Sequence, residues 1–232
     1  MLKVCIIPAR GGSKRIPRKN SKPFLGKPII VYSIQTALES ELFDEVMVST
    51  DDAEIAEISV KYGASVPFMR SAKNADDHAT TVDVLGEVLQ TYHSRGFLFE
   101  TACCIYPTAP LTQSYRIKQG FEKLISLNAD SVFPIVRYSY PIGRALQLTD
   151  GRIHMIWPEN LNARSQDMPA TFHDAGQWYW FNCEKLLASR KLWTENTFGV
   201  EVDELEVQDI DSLNDWKMAE LKYAYLQGSF SE

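Results

Sequence analysis

The sequence predicts an α/β domain built on a mostly parallel sheet. Three observations carry this. Short, nearly all-apolar runs such as "KVCIIPA", "DEVMVST" and "TACCIYPT" read as buried strands. Longer segments between them space their apolar residues as a helix does, for example Val82, Leu85, Val88 and Leu89. The two kinds alternate along most of the chain, which is the pattern of βα units. With 232 residues, 45% of them apolar, the chain is expected to form a single domain over 1–232.

The elements follow in order. "KVCIIPA" is rich in β-branched residues and too short for a helix. A loop with glycines and basic residues comes next. "PIIVYSIQTALES" brings Ile30, Ile34, Ala37 and Leu38 together, with Pro28 suited to a first helical position. "DEVMVST" is a second strand, and "DAEIAEISVKYG" a helix with Gly63 as its C-terminal cap. "ASVPFMR" reads as a short third strand. "TTVDVLGEVLQTYHSRG" is a helix, "TACCIYPT" a strand, and a further helix runs from Thr112 to about Leu127. "DSVFPIV" is the next strand.

Residues 138–177 break the alternation. "RALQLTDGRIHMIW" reads as two strands joined at the turn signal Asp150-Gly151. "PENLNARSQDMPATFHDAGQ" has no clear period. The stretch reads as an insertion, either a lid or a partner-binding arm. "WYWFNC" and "LEVQDI" return to strand. A closing helix starts at Ser212, where Ser212 and Asp215 have capping-box spacing.

The formal charge is −6, which argues against a general binder of nucleic acid or membrane surfaces. The charge is unevenly placed. Lys3, Arg10, Lys14, Arg15, Arg18, Lys19, Lys22 and Lys27 all precede the first acidic residue, Glu39. A focused basic patch on an acidic chain suggests a small anion; a merely solvated basic face is the alternative. Cys5, Cys103, Cys104 and Cys183 form no CxxC pair and sit in apolar surroundings, so buried reduced thiols are expected. No signal peptide fits the start, and no stretch is long enough to span a bilayer. The expected location is the cytoplasm.

The loop after the first strand, "IIPARGGSKRIPRKN", carries the most chemistry. It lacks the spacing of a Walker loop and of GxGxxG. Gly11-Gly12 lets backbone N–H groups approach an anion. Arg10 can fork onto phosphate oxygens, with Lys14 and Lys19 as point charges. Two prolines stiffen the loop and lower the ordering cost of binding.

This loop resembles the signature of the sugar-acid cytidylyltransferases, the CMP-sialic acid synthetase family. "STDD", "MRSAKNADDHATT", "YPTAPL" and "VQDIDSLNDW" extend the resemblance along nearly the whole chain. Within the family, "YPIGRALQL", "PENLNARSQDMP" and "HDAGQWYW" look most like pseudaminic acid cytidylyltransferases. Tyr106 stands where sialic acid synthetases usually have Gln. The resemblance implies a Rossmann-like three-layer nucleotidyltransferase fold with an inserted dimerisation arm, 138–177, and a homodimer. It implies transfer of CMP from CTP to the anomeric hydroxyl of a nine-carbon 2-keto sugar acid, with release of pyrophosphate.

The resemblance also places residues. Arg10, Gly11, Ser13, Lys14 and Lys19 would line the triphosphate, with Arg10 and Lys19 stabilising charge on the departing pyrophosphate. Asn20 would contact the nucleoside. Arg70, Asp77 and Thr81 would form the cytidine pocket; Asp77 is otherwise a helix cap. On a strand Asp209 and Asp211 share a face. Carboxylates aimed at a triphosphate need a divalent cation between, and oxygen ligands with phosphate suit Mg²⁺. Asp211 would then be catalytic through that ion; otherwise it caps the last helix. The sugar's own carboxylate calls for a guanidinium. Arg164 is the expected partner, reaching across a dimer interface, with Tyr106, Gln177 and Tyr179 nearby. His173 reads as a structural residue rather than the base. In Trp178, Tyr179 and Trp180, alternate members would face opposite sides.

Overall fold

A computed structural model describes residues 2–76 and 79–228. The chain runs β1 (Lys3–Pro8), β2 (Pro23–Phe24), β3 (Lys27–Pro28), α1 (Ile29–Glu39), β4 (Glu45–Ser49), α2 (Ala53–Lys61) and α3 (Thr81–Ser94). It continues with β5 (Thr101–Ile105), α4 (Ser114–Ser126), β6 (Ser131–Arg137), β7 (Leu146–Thr149), β8 (Arg152–Met155) and β9 (Phe172–Asp174). Last come β10 (Trp178–Asn182), α5 (Cys183–Ser189), β11 (Thr197–Glu201) and α6 (Leu213–Leu226).

The main sheet has the order β11-β6-β10-β5-β1-β4, with β9 also paired to β6. It is mixed rather than mostly parallel, which corrects the expectation. β1 is parallel to β4 and β5, and β11 to β6. β10 is antiparallel to both β5 and β6, and β9 is antiparallel to β6. The cause is the path of the chain from β6 to β10. The chain leaves at the C-terminal end of β6 and returns beside that same end through β9. No crossover carries it to the far end, so β10 must run backwards.

Alternation along the strands splits the core in two. Cys5, Ile7, Cys103, Trp178 and Trp180 pack on one face with α1, α2 and α4 residues such as Ile34, Ile55 and Ile117. Val4, Ile6, Cys104, Tyr179 and Phe181 pack on the other with α3 and α5 residues such as Leu85 and Leu186. The result is three layers, helices on both faces of the sheet. Cys103 and Cys104 face opposite sides, as do Tyr179 and its two Trp neighbours, as the two-residue period predicts. All four cysteines are buried and free, and burial raises their thiol pKa values. Among the described residues no helix is long and apolar enough to cross a membrane.

Most helix ends are written in the sequence. Ser212 and Asp215 do form a capping box on α6. Thr80 and Asp83 form another on α3, so Thr80 is the cap there. Asp77, the proposed cap or cytidine ligand, lies outside the described residues. Gly63 follows α2 with φ +95, as a C-terminal glycine should. Asp150 and Gly151 both have positive φ, and Leu146–Thr149 pairs with Arg152–Met155 as expected for a tight hairpin.

Two expected strands are absent. "ASVPFMR" reduces to one bridge, Met47 to Ser65; Pro67 lacks the N–H to continue it. "LEVQDI" forms a 3-10 turn at Glu204–Glu206 and then extended chain outside any ladder. Its carbonyls are taken by side chains instead: Gln177 donates to Glu206, and Lys222 to Glu204 and Val207. β11, rather than this segment, forms that edge of the sheet, with β4 at the other.

Candidate active site

β1 ends at Pro8, and the loop after it leaves from the C-terminal edge of the parallel strands, where open α/β sheets bind ligands. Its path is fixed by one buried side chain. Ile16 sits in a small core with Phe24, Ile29, Tyr32, Ile210 and Trp216. Ile210 is 1% exposed and lies between Asp209 and Asp211. With that side chain inward, the flanking carboxylates share the outward face. Asp209 and Asp211 therefore keep the geometry expected of a strand without being in one. The same core pins the basic loop to the acidic segment, although some 190 residues separate them in sequence.

Polar contacts join the two walls. Lys19 Nζ donates to the Ile210 carbonyl at 2.6 Å and lies 3.7 Å from Asp211 Oδ1. Arg15 donates to Asp211 Oδ2 at 2.6 Å from an exposed position. Burial lowers the pKa of Lys19, against the pull of Asp211 and Asp209. Burial, then repulsion from Asp211, raises the pKa of Asp209. A crowded pair of carboxylates, one of them pushed toward its neutral form, suits a cation between them. Among the described residues no group of three or more His, Cys, Asp or Glu side chains could hold a metal. An ion at Asp209 and Asp211 would take its remaining oxygens from substrate and water, as phosphate-bound Mg²⁺ does.

A cleft of about 540 Å³ lies along the loop, lined by Arg10, Gly12, Ser13, Lys14, Lys19 and Asn20 among others. Pro107 and Thr108, from "YPTAPL", form its other side. Most of the expected triphosphate residues therefore share one cleft. Asn20 is buried there, and its amide donates to the Arg10 carbonyl at 2.9 Å, closing the loop on itself. Arg10 also donates to the Asp76 carbonyl at 3.1 Å.

Sequence reasoning undervalued "STDD". Asp51 accepts the Gly11 N–H at 3.0 Å. Asp52 caps α2 by accepting from Ile55 N–H, and also receives both ends of the Arg18 guanidinium at 2.7 and 3.2 Å. That pairing lowers the pKa of Asp52. A Cβ at Gly11 would sit 2.5 Å from Asp52 Oδ2, so only glycine fits there, whereas Gly12 faces open space. The loop is held by acids behind it. The signal was available: two acids directly after the strand beside β1.

Arg70 is buried, and its guanidinium donates to the Ser49 hydroxyl and carbonyl at the end of β4. Burial lowers its pKa, and the charge of Arg10 is close enough to add to the effect. Thr81 opens α3 and bonds the Tyr106 hydroxyl at 3.0 Å. Thr81, Tyr106, Tyr179 and Asp174 line a second cavity of about 530 Å³. Tyr179 donates to Asp174 Oδ2 at 2.6 Å, and burial raises the pKa values of both tyrosines. Thr81, expected with cytidine, thus stands among the expected sugar residues. Asp174 was missed; it lies five residues before Tyr179 in "HDAGQWY".

Two expected sugar residues lie elsewhere. Gln177 is 4% exposed and spends its amide on the Glu206 carbonyl at 2.6 Å. The structure does not bring it to the cavity. Arg164 is exposed and paired with Asp167 at 2.7 Å, and lines neither cavity. His173 bonds the Asp174 carbonyl, a structural contact.

The chain is similar to known proteins along most of its length. A family profile described as Cytidylyltransferase matches residues 4–147. The pseudaminic acid cytidylyltransferase of Campylobacter jejuni serotype O:2 is 39% identical over 96% of this chain and 97% of its own length. The CMP-N,N'-diacetyllegionaminic acid synthase of Legionella pneumophila is 30% identical over 94% of both chains. In fold, a CMP:2-keto-3-deoxy-manno-octonic acid synthetase structure aligns with TM-score 0.71 at 17% identity, covering 98% of this chain and 100% of that one. Profile and full-length identity lead to one statement: the chain belongs to the cytidylyltransferase family.

Proposed function

We propose that this enzyme transfers CMP from CTP to the anomeric hydroxyl of a nine-carbon 2-keto sugar acid, pseudaminic acid. The sugar oxygen bonds to the α-phosphorus, the α–β anhydride bond breaks, and pyrophosphate leaves with the electron pair. The hydroxyl proton passes to solvent. The observation that carries the reading is the join between walls: Lys19 reaches the Ile210 carbonyl at 2.6 Å, which sets a basic loop against Asp209 and Asp211. A site with both signs of charge fits a metal-bound polyphosphate better than a bare anion.

Arg10, Ser13, Lys14 and Lys19 bind and orient the phosphates. Arg10 and Lys19 offset charge that grows on the leaving oxygen. Asn20 and Arg70 shape the nucleoside end, and Asp77 is proposed as a further contact to cytidine. Asp209 and Asp211 would hold Mg²⁺, which supplies charge neutralisation at the phosphates when bound. Tyr106 and Tyr179 form the floor for the sugar, oriented by Thr81 and Asp174. Full-length identity of 39% to a pseudaminic acid enzyme supports the choice of sugar.

The arm completes the proposal. Leu146, Leu148 and Ile153 are exposed on the β7–β8 hairpin. Leu148 is paired with Ile153, and Leu146 with Met155, so these apolar groups share one face. A second copy of the chain covers that face, and Arg164 serves the partner's sugar carboxylate. The reaction belongs in the cytoplasm, where CTP is made.

The deciding assay is pyrophosphate release from CTP and Mg²⁺ across pseudaminic, legionaminic, N-acetylneuraminic and 3-deoxy-manno-octulosonic acids. Pseudaminic acid should give the highest kcat/KM. No release with any acid, as a non-catalytic nucleotide-binding regulator would give, sinks the reading. Release with N-acetylneuraminic acid alone overturns the substrate.

A further inference from the structure

Arg116 and Glu206 form a two-pronged pair outside the residues assigned above. Arg116 Nε reaches Oε2 and a terminal nitrogen reaches Oε1, both at 2.8 Å. The side chains are only 19% and 13% exposed. Arg116 lies in the first turn of α4, just after the loop that brings Pro107 and Thr108 to the cleft. Glu206 ends the 3-10 turn that precedes Asp209.

The same turn and the residue after it are held by three further contacts to their carbonyls. Gln177 donates to Glu206 at 2.6 Å, and Lys222 of α6 to Glu204 and Val207 at 2.9 and 2.7 Å. The next fixed point is Ile210, buried and bonded through its carbonyl to Lys19. Asp209 is therefore strung between two anchored points. This segment has no strand ladder to hold it, so its position depends on side-chain contacts. A partly buried ion pair is an inefficient source of stability, but its fork geometry fixes direction.

We infer that Arg116 is a positioning residue: through Glu206 it sets where Asp209 and Asp211 sit relative to the basic loop. The inference rests on reading those carboxylates as the metal-binding wall. It gives Gln177 a part in the site too, from behind.

Hydrogen exchange on the ligand-free enzyme tests the clamp without turnover. In Arg116→Ala, exchange across residues 204–211 should rise about tenfold while β1 is unchanged, because local opening differs from global unfolding. Arg116→Lys keeps the charge and loses the fork; it should show a smaller rise, and it carries the test should the alanine variant not fold. In turnover, the Mg²⁺ concentration for half-maximal rate should rise about fivefold, with KM for CTP at saturating Mg²⁺ within about twofold. Unchanged exchange over 204–211 overturns the inference whatever the activity. Faster exchange with an unchanged Mg²⁺ requirement also overturns it, since the pair would then be structural only. Failure of the functional reading shows differently, as wild-type protein with no Mg²⁺-dependent release; that removes the carboxylates' role and the inference with it.

Discussion

The cleft and the arm are built on opposite plans. In the cleft and the segments behind it, charged groups are held by partners far away in sequence: Lys19 by the Ile210 carbonyl, Arg18 by Asp52, Arg116 by Glu206. In the arm, Arg164 has a partner three residues on, Asp167, and both are exposed. Long-range partners fix geometry before substrate arrives. An exposed local pair contributes little and is easily exchanged. The cleft is thus organised within one chain, whereas the segment around β7 and β8 exposes an apolar hairpin face and Arg164.

The largest test breaks the cleft at its acidic wall. Asp211→Ala should lower kcat by about 10²- to 10³-fold, the loss typical of removing one electrostatic stabiliser. CTP should still bind by calorimetry, because the basic loop is intact. Full activity would remove the carboxylate wall from the chemistry.

The next test asks whether the arm acts in a neighbouring site. Arg164→Ala should raise KM for the sugar acid by about tenfold or more, as loss of a charge-assisted pair to substrate does. Mixing inactive Asp211→Ala with weakened Arg164→Ala should restore activity, since a mixed dimer contains one site with both residues. No restoration would return Arg164 to its own chain or dismiss it. Leu148→Asp, on the apolar hairpin face, should dissociate the proposed dimer in sedimentation.

How much of this contrast was legible follows the same division. Local rules recovered the frame: the two-residue period put Cys103 and Cys104 on opposite faces, and Ser212 with Asp215 marked the last helix. The resemblance singled out Asp209 and Asp211, and their i, i+2 spacing put them on one face, although the strand assumed for them does not exist. What local rules miss is contact between distant segments. Nothing near Ile16 or Ile210 says that they share a core, and nothing near Glu206 names Arg116. The direction of β10 was hidden for a related reason. A strand's apolar run reports burial, not direction, and direction was decided by where the chain returns after β6.

A smaller effect sharpens the cleft's internal order. Gly11→Ala places a methyl 2.5 Å from Asp52 Oδ2. Either the loop or the α2 cap must shift, at about 1–3 kcal/mol for such overpacking. KM for CTP should rise about tenfold on that scale. Gly12→Ala meets nothing within 4 Å and should leave the loop's packing unchanged. Equal effects of the two variants would mean that Asp52 does not hold the loop.

The smallest effect is a pH limb that belongs to the cleft alone. Burial disfavours the charged ammonium of Lys19 and sets its pKa below the ordinary lysine value of 10.5, with Asp211 and Asp209 opposing. As pH rises, Lys19 therefore loses its proton before an exposed lysine would. The triphosphate then loses one of its charges, and kcat/KM should fall on the alkaline side. Lys19→Arg should keep its charge and so flatten the alkaline limb in a pH–rate profile. It should also be slower at neutral pH, since a planar fork does not reproduce the 2.6 Å contact to the Ile210 carbonyl. An alkaline limb that survives in Lys19→Arg would assign the titration to another group and leave Lys19 as a tether between the walls.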